Sequence, residues 1–232
     1  MTTVREVWRR GVEKLRASNI PLPEKDAQLL MAEALGCPPY QVSIRHSEDI
    51  PEQSRSKFES SIRDRVERKP VSRILGRRLF FNDEFIVNDA VLDPRPETER
   101  LVELAIQFRP RRILDLGTGS GCILISVLKA VKDATGVGTD ISPEAVLVAG
   151  ENAERLGVAD RVTLPLSDWY EDVGGRFDLI VSNPPYISAA EMSDISPEVR
   201  DFDPQLALTD DADGLTAYRK ITAGALDHLT PG

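Results

Sequence analysis

Ile113-Leu114-Asp115-Leu116-Gly117-Thr118-Gly119-Ser120-Gly121-Cys122 is the stretch whose reading decides the fold. Its first four residues make a short apolar strand. Three glycines within five positions then let the backbone turn sharply and approach a ligand closely. An apolar segment from Cys122 to Val131 follows and reads as a helix. A glycine turn between a strand and a helix leaves free N–H groups and partial positive charge at the helix start. The spacing is G-x-G-x-G with an acid two residues before the first glycine, whereas a dinucleotide fingerprint would read G-x-G-x-x-G. This version suits a ligand with a carboxylate, placed at the helix start, and an ammonium, placed near Asp115. The amino-acid end of S-adenosylmethionine carries that pair. Asp115, Gly117, Thr118, Gly119, Ser120 and Gly121 are therefore the first candidate cofactor residues.

Downstream the strand–helix rhythm repeats. Gly136 to Ile141 reads as a strand. Ser142-Pro143 has the pattern of an N-cap with proline at the first helical position, and that helix runs to Leu156. Val162 to Leu166 and Phe177 to Ser182 are a third and a fourth strand. Strands alternating with helices predict a parallel, doubly wound sheet in the order 3-2-1-4, with ligands at the carboxyl ends of the strands. At the second strand end, Asp140 is placed to accept hydrogen bonds from both ribose hydroxyls. At the third, Asp168 can take an adenine amino group and Trp169 offers a flat apolar face. A helix-capping Asp168 and a core Trp169 are the alternatives there.

The fourth strand runs into Asn183-Pro184-Pro185-Tyr186. Two prolines stiffen the backbone and remove two N–H donors, so the carbonyls become fixed acceptors. With the side-chain oxygen of Asn183 they can accept both protons of one planar NH2 group, and Tyr186 can stack on the planar substrate. An amide or arylamine nitrogen is a poor nucleophile because its lone pair is delocalised. Holding its two hydrogens aims it at a methyl carbon and favours the pyramidal transition state. Asn183, Pro184, Pro185 and Tyr186 are thus the candidate catalytic and substrate-binding residues, with Asn183 also facing the cofactor. No metal site is expected.

Upstream, the first 75 residues read as short helices. Thr3-Val4-Arg5-Glu6 has capping-box spacing, and Val4, Trp8, Val12 and Leu15 form a helical stripe. A second helix spans Glu24 to Leu35 and stops at Gly36 and Pro38-Pro39. A third begins near Pro51, buries Phe58, Ile62 and Val66, and ends at Lys69-Pro70. A small bundle follows. His46 and His228, the only histidines, receive no role. Arg77 to Val87 reads as a β-hairpin turning at Asn82-Asp83. The expected organisation is a helical domain over 1–75, a hairpin linker over 76–92 and a methyltransferase domain over 93–232.

The net charge of −9 opposes a duplex-gripping role, since such proteins carry a basic face. Two cysteines argue against a disulfide scaffold and fit a reducing cytoplasm, and no apolar run approaches a membrane span. Cys122 is expected to be a small buried hydrophobe.

Arg95-Pro96-Glu97-Thr98-Glu99, Leu114 to Ile123, Asn183 to Ile187, and Asp213-Gly214-Leu215 with Tyr218 together resemble the release-factor glutamine methyltransferase family (PrmC/HemK). The similarity covers essentially the whole chain, and Pro94 to Glu99 is its discriminating piece. The resemblance implies a Rossmann-like S-adenosylmethionine methyltransferase domain behind a helical bundle and a hairpin. It implies methylation of the side-chain amide nitrogen (N5) of the glutamine in the Gly-Gly-Gln loop of class 1 peptide-chain release factors. Family cofactor positions fall on Gly117 to Gly121, Asp140, Trp169 and Asn183, and glutamine-binding positions on Asn183 to Tyr186. The helical domain would dock the release factor, with the enzyme monomeric and cytoplasmic, and no membrane or direct nucleic-acid partner. Two departures stand out. Asp93 occupies a place expected to be apolar, and the chain stops at Leu229-Thr230-Pro231-Gly232, where the family continues into further strands, so truncated C-terminal strands are expected. The competing readings are a nucleic-acid exocyclic-amine methyltransferase and a truncated, inactive cofactor-binding fold.

Overall fold

In the computed structural model, which describes residues 2–231, the chain divides into two units at Leu75/Gly76. The first unit is helical: α1 (Val4–Ala17), α2 (Pro23–Leu35), α3 (Glu52–Val66) and the short α4 (Val71–Leu75). The capping box forms as the spacing requires. Thr3 accepts from the Glu6 amide, and the Glu6 carboxylate accepts from the Thr3 amide. Gly36 closes α2 in the left-handed conformation, φ 62°, which glycine adopts without a Cβ penalty. Val4, Leu15, Leu30, Met31, Phe58 and Ile62 are fully buried and form one core. Asp26 and Arg65 pair at 2.8 Å beside it, both nearly enclosed. Trp8 lies slightly outside the buried stripe, its ring tilted against that of His46 at 5.5 Å. The short helix α4 and the 3-10 turns at Pro39–Gln41 and Ile44–Ser47 carry no periodic signal because they are too short to show one.

The second unit opens with the hairpin β1 (Arg77–Phe80) and β2 (Asp83–Ile86). Its turn falls one residue earlier than expected, on Phe81-Asn82, because Phe80 pairs with Asp83. Both turn residues have positive φ, 46° and 70°, as a type I′ turn demands. The Phe81 amide is anchored by the Glu99 carboxylate at 3.1 Å. Helix α5 (Glu99–Phe108) follows without a readable start signal, since Thr98 makes no side-chain cap bond.

Then come β3 (Arg112–Leu116), α6 (Cys122–Ala130), β4 (Thr135–Thr139), α7 (Pro143–Arg155), β5 (Val162–Thr163) and β6 (Leu179–Ser182). The sheet is parallel with order β5-β4-β3-β6, the order expected from sequence. The α/β, Rossmann-like methyltransferase fold is thus present. Alternation along β3 sends Ile113 into the core under α6 and turns Leu114 and Leu116 to the opposite face, onto Phe177. Ser142 caps α7 by accepting from Ala145, with Pro143 in the first turn.

The third and fourth strands are shorter than expected. Pro165 has no N–H, so the ladder stops after Thr163 and resumes only as a single Asp140–Leu166 bridge. Before β6, the Asp178 amide still donates to Arg112 O at 2.9 Å, and its carboxylate also accepts from the Arg111 and Arg112 amides at 2.7 and 2.9 Å. Phe177 pairs instead with Leu229 across the other edge of β6. That pairing follows α8 (Pro197–Arg200) and α9 (Thr216–His228). Helix α9 buries only Ala217 among its residues, too little to print an apolar stripe.

Phe58→Ala removes a fully buried ring from the helical unit. It should lower that unit's stability by about 3–5 kcal/mol, read as an earlier midpoint in urea unfolding followed by circular dichroism.

Candidate active site

The carboxyl ends of β3, β4 and β6 are held together by backbone and short polar contacts. Ser182, at the end of β6, donates its hydroxyl to Leu116 O at 2.7 Å, which sets Asn183 beside the glycine loop. The loop is strained into shape. Gly117, Gly119 and Gly121 all have positive φ, at 68°, 56° and 78°. A Cβ on Gly121 would sit 2.7 Å from Ile125 Cδ1, so only glycine lets α6 start this close to the turn. The Thr118 amide donates to Thr139 O at 2.8 Å and the Gly119 amide to Asp140 Oδ2 at 2.9 Å. Ser120 O accepts from Asn152 Nδ2 at 2.9 Å.

A cavity of about 610 Å³ opens against this loop, the size range of cofactor sites. Its lining includes Gly117 to Ser120, Asp140, Asp168, Trp169 and Asn183 to Pro185. Most of the residues singled out from sequence therefore share one cavity. Three do not line it. Gly121 lies under the loop. Tyr186 turns outward with 58% of its surface exposed. Asp115 lies behind the loop, 0% exposed, where the Thr118 hydroxyl donates to its Oδ2 at 2.8 Å. Its Oδ1 has no hydrogen-bond partner in the structure, so a buried carboxylate oxygen is left for a donor. Burial pushes the Asp115 carboxyl up to about 7, against the Thr118 hydroxyl, and the charge of Asp140 adds to the rise.

Asp140 is less free than expected. Its two oxygens already accept from the Gly119 and Ser142 amides, at 2.9 and 3.0 Å. Lone pairs remain on both, so the carboxylate can still receive hydroxyls. Asp168 pairs with Lys220 of α9 at 3.2 Å, and Lys220 itself reaches the cavity. Trp169 stands at φ 54°, unusual for a bulky residue, with its carbonyl accepting from the Ser167 and Thr139 hydroxyls. Its side chain packs toward Leu114, Leu116 and Phe177 while lining the cavity, so the core and ligand-facing readings hold together. Cys122 lines the cavity too, but burial pushes its thiol up to about 12, which makes it inert packing.

In the loop after β6, the Asn183 side chain makes no hydrogen bond with any described residue, and no backbone amide among them donates to the Pro184 or Pro185 carbonyls. All three residues line the cavity, so these acceptors stand beside it unspent.

The lining is completed by Leu92, Pro94 and Arg95, at the start of the Pro94–Glu99 stretch that carries the family resemblance, and by Pro204, Leu206 and Ala207, which carry no motif. Arg95 forms an ion pair with the enclosed Asp203 carboxylate, whose Oδ1 also accepts from the Asp93 amide at 3.3 Å. Asp93 is only 4% exposed, which explains why its place looked apolar, and Arg78 approaches its carboxylate at 3.6 Å. Asp203, Lys220 and Asn152 were not legible as site residues. Each gains its place through a contact 30 or more positions away in sequence, as the 52-residue separation of Lys220 from Asp168 shows.

Comparison with known proteins agrees with this geometry. The model of the PrmC N-terminal domain matches residues 6–76, and that of the methyltransferase small domain matches residues 96–198. The release factor glutamine methyltransferase of Cereibacter sphaeroides is 46% identical over 98% of this chain and 82% of its own length. The chain belongs to the release factor glutamine methyltransferase family. A second member, from Rhodospirillum rubrum, is 43% identical over 96% of this chain and 69% of its own. The fold is also that of the hMettl16 catalytic domain, solved with MAT2A 3'UTR hairpin 6 (TM-score 0.55, 16% identity, 68% of this chain and 62% of that one). As a member of this family the chain is an S-adenosylmethionine-dependent methyltransferase.

Asp115 gives a pH signature that needs no ligand. Its folded value lies above the unfolded value of 3.8, so between about pH 4 and 7 the folded state keeps a proton that the unfolded state has lost. Stability of the free protein should therefore fall as pH rises through that window, by at most ~1.4 kcal/mol per pH unit from this group. Asp115→Asn should flatten the dependence, read as urea midpoints at pH 5 and pH 7.

Proposed function

We propose that this protein transfers the methyl group of S-adenosylmethionine to the side-chain amide nitrogen of the glutamine in the Gly-Gly-Gln loop of class 1 release factors. The observation that carries this reading is the set of unspent acceptors, Asn183 and the Pro184 and Pro185 carbonyls, on the wall of the glycine-loop cavity.

The residues present fit the cofactor. The partnerless Asp115 Oδ1 behind the loop suits the ammonium end, and the loop amides at the start of α6 suit the carboxylate. Asp140 would receive the ribose hydroxyls on its remaining lone pairs. Asp168 and Trp169 would flank the adenine, Asp168 by exchanging part of its contact with Lys220. When bound, S-adenosylmethionine supplies an electrophilic methyl carbon on a sulfonium.

The chain's own contribution is positional. Asn183 Oδ1 and a carbonyl of the proline pair accept the two amide hydrogens of the glutamine, which aims the nitrogen lone pair into the cavity. Pyramidalisation of that nitrogen strengthens both hydrogen bonds, so the gain is larger in the transition state than in the ground state. Tyr186, outward and exposed, is placed to stack on the entering carboxamide. No strong base is required, because the nitrogen becomes acidic only after it has been alkylated and then sheds its proton to water.

The helical unit is the docking element for the release factor in this reading. Tyr40 and Ile44 are large apolar side chains left 67% and 74% exposed on it, as anchor residues of an interface are in the free state. A monomeric, cytoplasmic enzyme acting without direct nucleic-acid contact completes the reading, in keeping with the −9 charge.

Labelled methyl should pass from S-adenosylmethionine to a purified release factor and not to its Gln→Ala variant in the Gly-Gly-Gln loop. Label on RNA or DNA instead would sink the release-factor assignment. Asn183→Ala should cut kcat by roughly 10²–10³-fold while leaving the Kd for S-adenosylmethionine within a few fold. Ile44→Asp should raise KM for the intact release factor about tenfold or more and leave KM for a short glutamine peptide unchanged; equal KM values for the factor would remove the docking role.

A further inference from the structure

The segment from Leu208 to Thr216 does not line the cavity, yet it is built around the loop that does. Two backbone bonds stitch it to the residues just after Tyr186. The Ile187 amide donates to Leu208 O at 3.0 Å, and the Ala189 amide donates to Ala212 O at 3.0 Å. Along this turn the Asp211, Ala212, Gly214, Leu215 and Thr216 amides all donate to side-chain oxygens. One side chain gathers three of them. Asp210 Oδ1 accepts from the Ala212 and Gly214 amides, each at 2.9 Å, and Oδ2 accepts from the Thr216 amide at 2.9 Å, the first residue of α9. Hydrogen bonds from Thr216, and then those from Ala212 and Gly214, hold its carboxyl well below the usual carboxylate range.

What this turn delivers is Gly214. It is buried, at φ 77°, and a Cβ built on it would lie 2.4 Å from Tyr186 O and 3.2 Å from Tyr186 C. The backbone of Gly214 is thus in direct contact with the backbone at the end of the Asn183–Tyr186 loop. A fixed contact there restricts the peptide plane of Tyr186, and through it the direction of the Pro185 and Pro184 carbonyls, since φ is fixed at both prolines and Pro184, preceding a proline, is held extended as well, which leaves few torsions to absorb a shift. Neighbouring Asp213 does something different: it pairs with Arg219 at 2.6 Å on the exposed side of α9.

We propose that Asp210 is a positioning residue for methyl transfer. By gathering three backbone amides it presses Gly214 against Tyr186 and so sets the angle of the carbonyls that hold the acceptor amide. The proposal rests on the reading of Asn183–Tyr186 as the amide-holding loop. The brace does not touch Asp115, Gly117–Gly121 or Asp140, and its one link to a cofactor position runs through α9, where Lys220 pairs with the partly exposed Asp168, so its loss acts mainly on turnover.

The test compares Asp210→Ala, Asp210→Asn, Gly214→Ala, Asp213→Ala and Asn183→Ala in the full chain. It measures methyl transfer to purified release factor, S-adenosylmethionine Kd by calorimetry, and Tm. Misplacement of a reacting group by about an ångström can cost on the order of 100-fold. Asp210→Ala and Gly214→Ala should therefore lower kcat about 10- to 100-fold, with KM for the release factor and cofactor Kd within about twofold. Asp210→Asn keeps the oxygen that serves Ala212 and Gly214 and should return kcat to within about threefold of the parent; Asp213→Ala should be indistinguishable from it. Should Asp210→Ala fail to fold, Gly214→Ala and Asp210→Asn carry the same comparison. Parent-like kcat in Gly214→Ala or Asp210→Ala, with Asn183→Ala inactive, overturns the brace alone. So does a parallel loss of kcat and cofactor affinity. Near-normal turnover in Asn183→Ala overturns the loop reading and takes the brace with it.

Discussion

The left-handed turn at Gly117–Gly121 is the constraint on which the site depends. Three positive-φ residues in five positions are a costly conformation for any residue but glycine, and here several polar groups of the turn are tied to neighbouring elements. Thr139 O, Asp140 and Asn152 each take up a bond from the turn, so β4, the α7 cap and the middle of α7 are tied to the same few atoms. Asn152 is fully buried, and its amide group also pairs both ways with Ile86, at 2.7 and 3.1 Å. One side chain thereby joins the hairpin edge to the cofactor loop. Losing it would strand several buried polar groups at once, each of which costs more than the net value of the bond it made.

The electrostatics around the cavity follow a division of labour. On the loop side, a carboxyl with one unanswered oxygen is kept in a place where its charge is expensive, a state that favours a cationic partner. Behind the lining residues Pro94, Arg95 and Pro204, the enclosed carboxylates Asp93 and Asp203 are each met by an arginine, and the polypeptide around them is thereby held in place. Removing either arginine would leave an acid buried with less compensation, which is how such pairs reveal their role. The Asn183–Tyr186 loop carries no charged side chain. Asn183 and the proline carbonyls are neutral acceptors, which in the proposed reaction would meet a neutral amide and the partial charge that develops on its nitrogen.

Much of the fold was legible. The sheet order, the capping box, the Ser142-Pro143 helix start and the strand–glycine–helix unit were all read from local pattern, and local pattern is where backbone sterics and hydrogen-bond counting act directly. The misses have local causes too. The hairpin turn moved by one residue because pairing register, set by both strands together, outweighed the preference for Asn at its first position. The third strand was cut by Pro165, whose missing N–H matters only once a neighbouring strand asks for it. Helices α5 and α9 went unread: the one lacks a cap bond and the other an apolar stripe.

By itself, then, the sequence determined the chemistry on offer: a glycine turn with free amides at a helix start, acids at strand ends, and a stiff Asn-Pro-Pro-Tyr run whose two prolines offer acceptors and no donors. Those properties belong to residue types and to spacings of a few positions. Tertiary structure alone decided which of these groups share a cavity, that Asp115 stands behind the loop with one oxygen unanswered, that Asp168 is paired with Lys220, and that Gly214 bears on Tyr186. Each of those facts is a contact between segments far apart in the chain. Its energy comes from packing and desolvation at a meeting point that no single segment encodes.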